Sequence, residues 1–166
     1  MANHLVLIGL HRVGKTTVGK ALAESLKRPF IDTDLLIEEK IKTSCREYYR
    51  TNGEKAFRDV EQSVLRSLAP TDQSVIALGG GALVLPLNRL MVKTLGTLLY
   101  LKCDPEKVKE RVDNPAFLTT TWEEMAERRM IVFEGLADWT IDVTDKTAES
   151  VVKEVLDGCE QFWAAL

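Results

Sequence analysis

The chain has 166 residues, of which 45% are hydrophobic and 28% are charged, a composition typical of one soluble globular domain. Its 22 basic and 25 acidic residues leave a net charge of −3, which argues against non-specific nucleic-acid binding because that needs a basic face. The longest apolar runs are far shorter than the ~20 residues that span a bilayer, and the N-terminal segment lacks the features of a secretion signal. We therefore expect a cytoplasmic protein without nucleic-acid or membrane partners.

Short β-rich runs alternate with helical patterns along the chain. The predicted strands are residues 4–8, 30–32, 75–78, 97–101 and 140–143. The predicted helices are residues 15–27, 34–42, 44–50, 54–68, a segment starting near 105, 121–137 and 148–162. Because strands that alternate with helices form βαβ units, we expect an α/β fold with a parallel sheet covered on both faces. Ligands of such sheets bind at the carboxyl ends of the strands, so residues that follow a strand are the candidate site residues.

The first candidate site follows the first strand, where Gly9-Leu-His-Arg-Val-Gly14-Lys15-Thr16 matches the phosphate-loop pattern G-x-x-x-x-G-K-[ST]. Gly9 and Gly14 let the backbone turn its N–H groups toward phosphate oxygens, and the next helix adds its positive end. Lys15 can reach the β- and γ-phosphates of a nucleoside triphosphate, and the Thr16 hydroxyl can coordinate Mg²⁺. The motif leaves the reaction open, since GTPases, ATPases and small-molecule kinases share it. The N-K-x-D motif typical of switch GTPases is missing from the sequence.

Two carboxylates, Asp32 and Asp34, follow the second strand. Because side chains alternate along an extended segment, both are expected on one side, next to the phosphate loop. One of them could take Mg²⁺ through water while the other meets a substrate hydroxyl, and Asp32 is the better placed for the metal. The alternative, left open here, is that Asp34 only caps the following helix.

The helix predicted at 54–68 carries an arginine and a glutamate beside its buried stripe. Phe57 belongs to that stripe, Arg58 lies about 100° from Phe57, and Glu61 falls close to the stripe. The i, i+3 spacing lets Arg58 and Glu61 pair. A carboxylate held against an arginine at the edge of a core costs desolvation, and such a pair often orients a functional guanidinium. An ordinary helix salt bridge is the alternative.

Together, these motifs resemble those of the shikimate kinase family. The matching segments are the phosphate loop at 9–17, Asp32-x-Asp34, Gly53-Glu54-x-x-Phe57-Arg58-x-x-Glu61, Gly79-Gly80-Gly81, and Arg129-x-x-x-Phe133 with Ala137-Asp138 beyond it. They run from about residue 5 to about residue 145, so the resemblance covers nearly the whole chain. The phosphate loop alone is generic, whereas the Phe-Arg and triple-glycine segments in this order are much more specific.

The resemblance implies a nucleoside-monophosphate-kinase-like fold with a five-stranded parallel sheet flanked by helices. It implies transfer of the γ-phosphoryl group of ATP to the 3-hydroxyl of shikimate, a step of aromatic amino-acid biosynthesis, with Mg²⁺ as the cofactor. One kinase domain over residues 1–166 is expected, with a core at 1–111 and 121–166 and a reduced lid at about 112–120. Nothing in the sequence requires more than a monomer.

Roles carried over by position divide the site in two. The expected nucleotide-binding residues are Gly9, Arg12, Val13, Gly14, Lys15, Thr16, Thr17 and Arg111, of which Arg111 matches the family's arginine near the adenine. Thr16 and Asp32 are expected to hold Mg²⁺. The expected substrate-binding residues are Asp34, Arg58, Glu61, Gly79, Gly80, Gly81 and Arg129. Lys15 and Asp34 are the expected catalytic residues. Two arginines suit a planar carboxylate because each offers a fork of donors.

The sequence departs from the family's pattern at two places. Phe133 stands where the family has tyrosine, and Ile131 replaces a proline, changes that leave a packing role for the aromatic ring. The lid position that carries an arginine in the family reads Asn114. We therefore predict that another cation substitutes. Arg12, three residues before Lys15, is the catalytic candidate, Arg111 is the second, and a plain solvent-exposed charge is the alternative for Arg12.

Two other functions are left open at this stage. One is a kinase of another small polyol acid such as gluconate, and the other is a nucleotide-binding homologue with weakened catalysis. Arg58 and Arg129 with the triple glycine favour the cyclohexene carboxylate of shikimate over gluconate. The cysteines, Cys45, Cys103 and Cys159, are widely spaced and predict neither a disulfide framework nor a zinc site.

Overall fold

Five strands and seven helices alternate along the residues described by this computed structural model, which are 3–69, 71–112 and 120–163. The strands are β1 (His4–Ile8), β2 (Phe30–Asp32), β3 (Val75–Ala77), β4 (Gly96–Lys102) and β5 (Trp139–Asp142). The helices are α1 (Lys15–Leu26), α2 (Thr33–Ile41), α3 (Cys45–Leu68), α4 (Pro86–Lys93), α5 (Pro105–Lys109), α6 (Trp122–Leu136) and α7 (Ala148–Trp163). The predicted α/β alternation is confirmed.

All five strands pair in parallel, in the order β2-β3-β1-β4-β5. Strand β1 lies at the centre and is buried along its whole length, because its residues HLVLI contact sheet neighbours on both sides. Leu5 lies opposite Val75 of β3 and Thr97 of β4. A parallel sheet brings the carboxyl ends of its strands to one edge. The phosphate loop, the Asp32 segment and the triple glycine therefore meet there, as predicted.

Helices cover the sheet and complete the main core. Helix α1 packs against β2, β3 and α7, while α4 and α6 pack against β4. Val18 and Leu22 form the predicted buried stripe of α1. Cys103 and Cys159 are buried in this core, and all three cysteines are free thiols. Within the described ranges, no helix combines the length and apolar character needed to cross a membrane.

The region between β2 and β4 differs from the prediction in two respects. The helices predicted at 44–50 and 54–68 run together as α3, with a kink at Gly53, whose φ of 83° favours glycine. Helix α4 was missed. It has only eight residues and begins at a proline, and its buried Asn88 reads in the sequence as a solvent-facing polar position. Its signal is therefore weaker than that of the longer helices.

Candidate active site

The phosphate loop between β1 and α1 closes around the side chain of Lys15. Its Nζ donates hydrogen bonds to the carbonyl oxygens of Gly9, at 2.8 Å, and Leu10, at 2.7 Å. Gly9 approaches the sheet so closely that a Cβ there would lie 2.8 Å from the carbonyl oxygen of Leu101. Gly14 has a φ of 113°, which L side chains rarely adopt. These glycines therefore serve the loop geometry that the motif predicted.

Lys15 is buried, and its electrostatic surroundings are mixed. Burial lowers the pKa of its ammonium group to about 8, while the nearby carboxylates of Asp34 and Asp32 oppose that shift. Because this pKa lies above 7, Lys15 stays mostly protonated in the neutral range. A buried ammonium group facing two carboxylates is a cation prepared to meet phosphate oxygens.

Asp32 ends β2, and its carboxylate accepts three hydrogen bonds. Its Oδ2 accepts a hydrogen bond from the Thr16 hydroxyl at 2.8 Å. Its Oδ1 accepts from the backbone N–H groups of Asp34, at 3.0 Å, and Leu35, at 3.4 Å, so Asp32 is the N-cap of α2. The cap role considered for Asp34 therefore belongs to Asp32. The alternation argument was also wrong in its geometry, because α2 already begins at Thr33 and places Asp34 in a helical turn.

Thr16 and Asp32 together fit a magnesium ion. A hydroxyl and a carboxylate 2.8 Å apart are the hard oxygen ligands that Mg²⁺ prefers, and Mg²⁺ commonly takes only one or two side chains plus phosphates and water. Across residues 3–69, 71–112 and 120–163, no group of three or more His, Cys, Asp or Glu could hold a metal. A magnesium ion held by Thr16 and Asp32 would take its remaining ligands from phosphate or water.

Asp34 lies between the phosphate loop and the triple glycine. Burial, and then the negative charge of Asp32, raise the pKa of its carboxyl group, while Lys15 opposes the shift. A Cβ at Gly79 would collide with the Asp34 carboxylate. The Gly79 N–H group donates to the Thr33 hydroxyl at 2.9 Å, which ties the start of α2 to the glycine segment. Asp34 is thus a partly buried carboxylate with raised basicity at the centre of the site.

The other two glycines face different neighbours. A Cβ at Gly80 would lie 2.9 Å from the backbone nitrogen of His11 in the phosphate loop. A Cβ at Gly81 would lie 3.3 Å from Nη2 of Arg129 and 3.4 Å from Nη1 of Arg58. The triple glycine therefore joins the phosphate loop on one side to both predicted carboxylate-binding arginines on the other.

Arg58 and Glu61 form the predicted pair on α3. Nη1 of Arg58 donates to the two Glu61 oxygens at 3.0 and 3.1 Å and to the Gly81 carbonyl at 3.1 Å. Their side chains are 12% and 4% exposed, so this is not a solvated helix salt bridge. Glu54, which is 59% exposed, lies 3.6 Å from Nε of Arg58. Burial raises the pKa of Glu61, and the charge of Arg58 opposes that shift.

Arg129, on α6, also places its guanidinium beside Gly81, but its surroundings differ from those of Arg58. Its guanidinium makes no hydrogen bond or ion pair with any residue that the structure describes. Burial, and then the positive charge of Arg58, lower its pKa, with Glu61 acting against them at longer range. Two guanidinium groups therefore converge on Gly81, and only one of them is neutralised by a buried carboxylate. Such a place attracts an anion.

Two adjoining cavities share Gly80 as a lining residue. The first has a volume of about 540 Å³, and its lining includes Lys15, Thr16, Thr17, Asp32, Asp34, Arg12 and Arg111. The second, of about 310 Å³, is lined in part by Arg58, Arg129, Tyr49 and Phe133. Asp34 lies in the first cavity beside the glycines that lead to the second. The predicted nucleotide and substrate residues thus occupy neighbouring spaces.

The lining of the first cavity differs from the prediction at His11 and Val13. His11 lines the first cavity, where burial and the charges of Lys15, Arg12 and Arg129 lower its pKa. Val13 does not line it: its side chain is buried in the core, and its N–H group donates to the Leu10 carbonyl.

The acceptor side likewise holds an unpredicted residue, Asn88, which donates to Glu61. His11 occupies a variable position of the phosphate-loop motif, so the motif gives it no role, and Asn88 lies outside every motif, so only the three-dimensional structure brings it to the site. Phe133 keeps the expected packing role, with its ring centroid 5.3 Å from that of Tyr100, whereas Ile131 is 64% exposed. Asn114 and the rest of 113–119 lie outside the described residues.

Shikimate kinases are among the solved structures that share this fold. A shikimate kinase from Acinetobacter baumannii, in complex with shikimate, has a TM-score of 0.86 and 28% identity over 97% of this chain and 94% of that chain. A shikimate kinase from Aquifex aeolicus has a TM-score of 0.84 and 29% identity over 95% and 96%. A gluconokinase from Sinorhizobium meliloti, at a TM-score of 0.62 and 19% identity, shares the fold alone.

Sequence comparison agrees with the structural one. A shikimate kinase of Alkaliphilus oremlandii is 35% identical over 94% of this chain and 98% of that protein. A shikimate kinase of Caldanaerobacter subterraneus is 37% identical over 92% and 94%. The family model described as shikimate kinase matches residues 12–160. The chain therefore belongs to the shikimate kinase family.

Proposed function

We propose that this chain transfers the γ-phosphoryl group of ATP to the 3-hydroxyl of shikimate, giving ADP and shikimate 3-phosphate. The observation that carries the proposal is the convergence of Arg58 and Arg129 at Gly81, with Arg129 lacking an anionic partner among the described residues. A planar carboxylate supplies the missing charge and matches the fork of donors on each guanidinium. Membership in the shikimate kinase family supports the same acceptor.

The nucleotide belongs in the first cavity. Lys15 and the backbone of the phosphate loop are the groups for the β- and γ-phosphates, with Thr17 and Arg111 on the same wall. Thr16 and Asp32 would hold Mg²⁺, which, when bound, neutralises charge on the phosphates. Arg12, also in this wall, is our candidate for the cation that stabilises the transferring phosphoryl group.

Asp34 is the proposed base. Its raised pKa makes its carboxylate a stronger proton acceptor than an ordinary aspartate, and it lies at the junction of the two cavities. It accepts the proton of the 3-hydroxyl as that oxygen forms its bond to the γ-phosphorus and the bond to the β-γ bridging oxygen breaks. Most of the acceleration in phosphoryl transfer comes from positioning and charge stabilisation, so few residues need to take part chemically.

The acceptor is positioned from the second cavity. Arg58 and Arg129 hold its carboxylate, Glu61 holds Arg58, and Gly79–Gly81 offer bare backbone beside the ring. We propose that residues 1–166 act as one kinase domain. We infer that it works as a cytoplasmic monomer in aromatic amino-acid biosynthesis, in keeping with its family.

A direct assay tests the proposal. Purified protein is incubated with Mg-ATP and shikimate, gluconate or no acceptor, and ADP release is measured, with Lys15→Ala as the control for contaminating kinases. We expect ADP release that depends on shikimate, at least tenfold faster (about 1.4 kcal/mol) than with gluconate. Equal rates with both acids, or release that shikimate does not stimulate, contradict the proposed substrate.

A further inference from the structure

Asn88 of α4 is a polar side chain with 0% exposure that the proposed function does not use. Its Nδ2 donates to Oε2 of Glu61 at 3.1 Å and to the carbonyl oxygen of Ala82 at 2.8 Å. Both partners are acceptors, so the amide nitrogen must face them, and this fixes the orientation of the side chain. The opposite atom, Oδ1, is then buried without a hydrogen-bond partner in the described part of the chain.

These contacts close a ring around one carboxylate. Asn88 binds Glu61, Glu61 binds Arg58, and Arg58 donates to the Gly81 carbonyl at 3.1 Å, one residue before the Ala82 carbonyl that Asn88 also holds. Helix α3, helix α4 and the end of the triple glycine are therefore tied together at Glu61. The Arg58 guanidinium is itself part of this ring.

An asparagine at this position carries a cost to folding. A buried amide oxygen without a partner is unfavourable, and an apolar side chain could pack α4 without it. This unfavourable contribution is offset if the amide hydrogens of Asn88 stabilise the Glu61 carboxylate. The charged groups that face Glu61 are Arg58 on its own helix and Arg129 on α6, which favour its ionised form, and Asp34 on α2, which opposes it. The Asn88 amide adds a donor that also favours the carboxylate.

We propose that Asn88 is a positioning residue that holds the Glu61 carboxylate in place and thereby fixes the Arg58 guanidinium for the carboxylate of the acceptor. This proposal rests on the proposed function, because Arg58 acts there as the acceptor-binding arginine. Asn88 itself contacts neither the acceptor nor the nucleotide cavity. Its effect must therefore appear in acceptor binding and travel through Glu61.

Replacing Asn88 with leucine removes both donors and keeps a similar volume. We expect Asn88→Leu to raise the KM for shikimate about tenfold, as for the loss of a hydrogen bond to a charged group, with kcat and the KM for ATP within about twofold. Val92→Ala is the matched control, because Val92 is fully buried on the same helix and packs in the main core. It should lower the Tm without changing the KM for shikimate. An equal rise of that KM in both variants overturns the proposal.

A double variant separates positioning from general packing. In a Glu61→Leu background residue 61 has no oxygen to accept the Asn88 hydrogen bond, so adding Asn88→Leu should change the KM for shikimate by less than about threefold. If the effect is again tenfold, Asn88 acts independently of Glu61 and the proposal is wrong.

A titration without substrate keeps the test independent of the proposed function. The Glu61 carboxyl carbon, assigned by comparison with Glu61→Gln, is followed by NMR as the pH is changed. Asn88→Leu should move its titration to higher pH, because one donor to the ionised form is lost. An unchanged titration contradicts the positioning role even if the wild-type protein does not phosphorylate shikimate, and a shifted one supports it in that case too.

Discussion

The two ends of the active site are built in different ways. At the nucleotide end, the central cation, Lys15, donates to two carbonyls of its own loop and faces Asp32 and Asp34. At the acceptor end, Arg58 is paired with Glu61, but Arg129 has no anionic partner within the described ranges. The first end is a local motif whose charges are largely matched within the protein. The second is assembled from distant segments, and a ligand completes its charge balance.

This difference predicts where activity and stability conflict. A guanidinium that is buried without a partner destabilises the fold until an anion binds. Removing it should therefore stabilise the free protein and weaken acceptor binding, whereas removing Arg58, which Glu61 neutralises, should harm both. Substitutions at the two ends of the site test this difference.

The largest losses are expected at the nucleotide end. Lys15→Ala and Asp34→Asn should each lower kcat for shikimate phosphorylation by about 10²–10⁴-fold, because one removes a phosphate-binding cation and the other the proposed base. Both variants should remain folded by circular dichroism. Turnover like that of the wild type in Asp34→Asn would remove Asp34 from the mechanism.

Arg12 offers a test of transition-state charge with a matched control. Its φ of 62° lies in the left-handed region, so Arg12→Gly should relieve about 1 kcal/mol of backbone strain that Arg12→Ala retains. Both should lower kcat by about a hundredfold and raise the KM for ATP much less, which is the pattern of an interaction made mainly in the transition state.

Steady-state kinetics of Arg12→Gly, Arg12→Ala and Arg111→Ala test which of the two arginines stabilises the transferring phosphoryl group. Equal kcat losses in Arg12→Gly and Arg12→Ala, despite their different stabilities, indicate that the charge is what matters. An unchanged rate in both variants rules out Arg12 as the substitute cation.

The two arginines at the acceptor end should separate in stability. Arg58→Met and Arg129→Met should each weaken shikimate binding about tenfold to a hundredfold and leave ADP binding nearly intact. Arg58→Met should also destabilise the fold by about 3 kcal/mol, because Glu61 loses its buried partner. Arg129→Met should keep or raise the Tm.

Calorimetric titration with shikimate and with ADP, and thermal unfolding, measure these effects. Glu61→Gln should weaken shikimate binding less than either arginine variant. If Arg129→Met loses ADP affinity instead, Arg129 belongs to the nucleotide end and the comparison fails.

The smallest expected effect is a pH dependence of stability at Asp34. Its pKa is raised in the folded protein, so the cost of its buried charge is present at neutral pH and disappears as the carboxyl group takes up a proton. Asp34→Asn should therefore be more stable than the wild type at pH 8. The gap should narrow as the pH falls to 5. Urea unfolding at both pH values checks this, and a gap that widens on acidification contradicts the sign.

The nucleotide end and the acceptor end also differ in how far the sequence could predict them. The phosphate loop and the sheet could be predicted because their signals are contiguous. The Arg58–Glu61 pair could be predicted because helical spacing places the two side chains together. Asn88 could not, since it reaches Glu61 from 27 residues away along the chain, on a helix of eight residues.

The sequence analysis considered Asp34 as the N-cap of α2, whereas the structure gives that role to Asp32. The assignment depends on whether α2 begins at Thr33 or at the next residue, and a boundary of one residue is beyond what propensity resolves. The close approach of Gly80 to the His11 backbone likewise joins segments far apart in the sequence. Local chemistry is thus readable from the sequence, and contacts between distant segments are not.

Comparing shikimate with its methyl ester shows whether the Arg129 guanidinium selects a carboxylate. Binding of both compounds is measured by calorimetry in the wild type and in Arg129→Met. We predict that the wild type binds shikimate at least tenfold (about 1.4 kcal/mol) more tightly than the ester, and that Arg129→Met loses most of this preference. Equal binding of acid and ester by the wild type, or a full preference retained in Arg129→Met, would contradict the account.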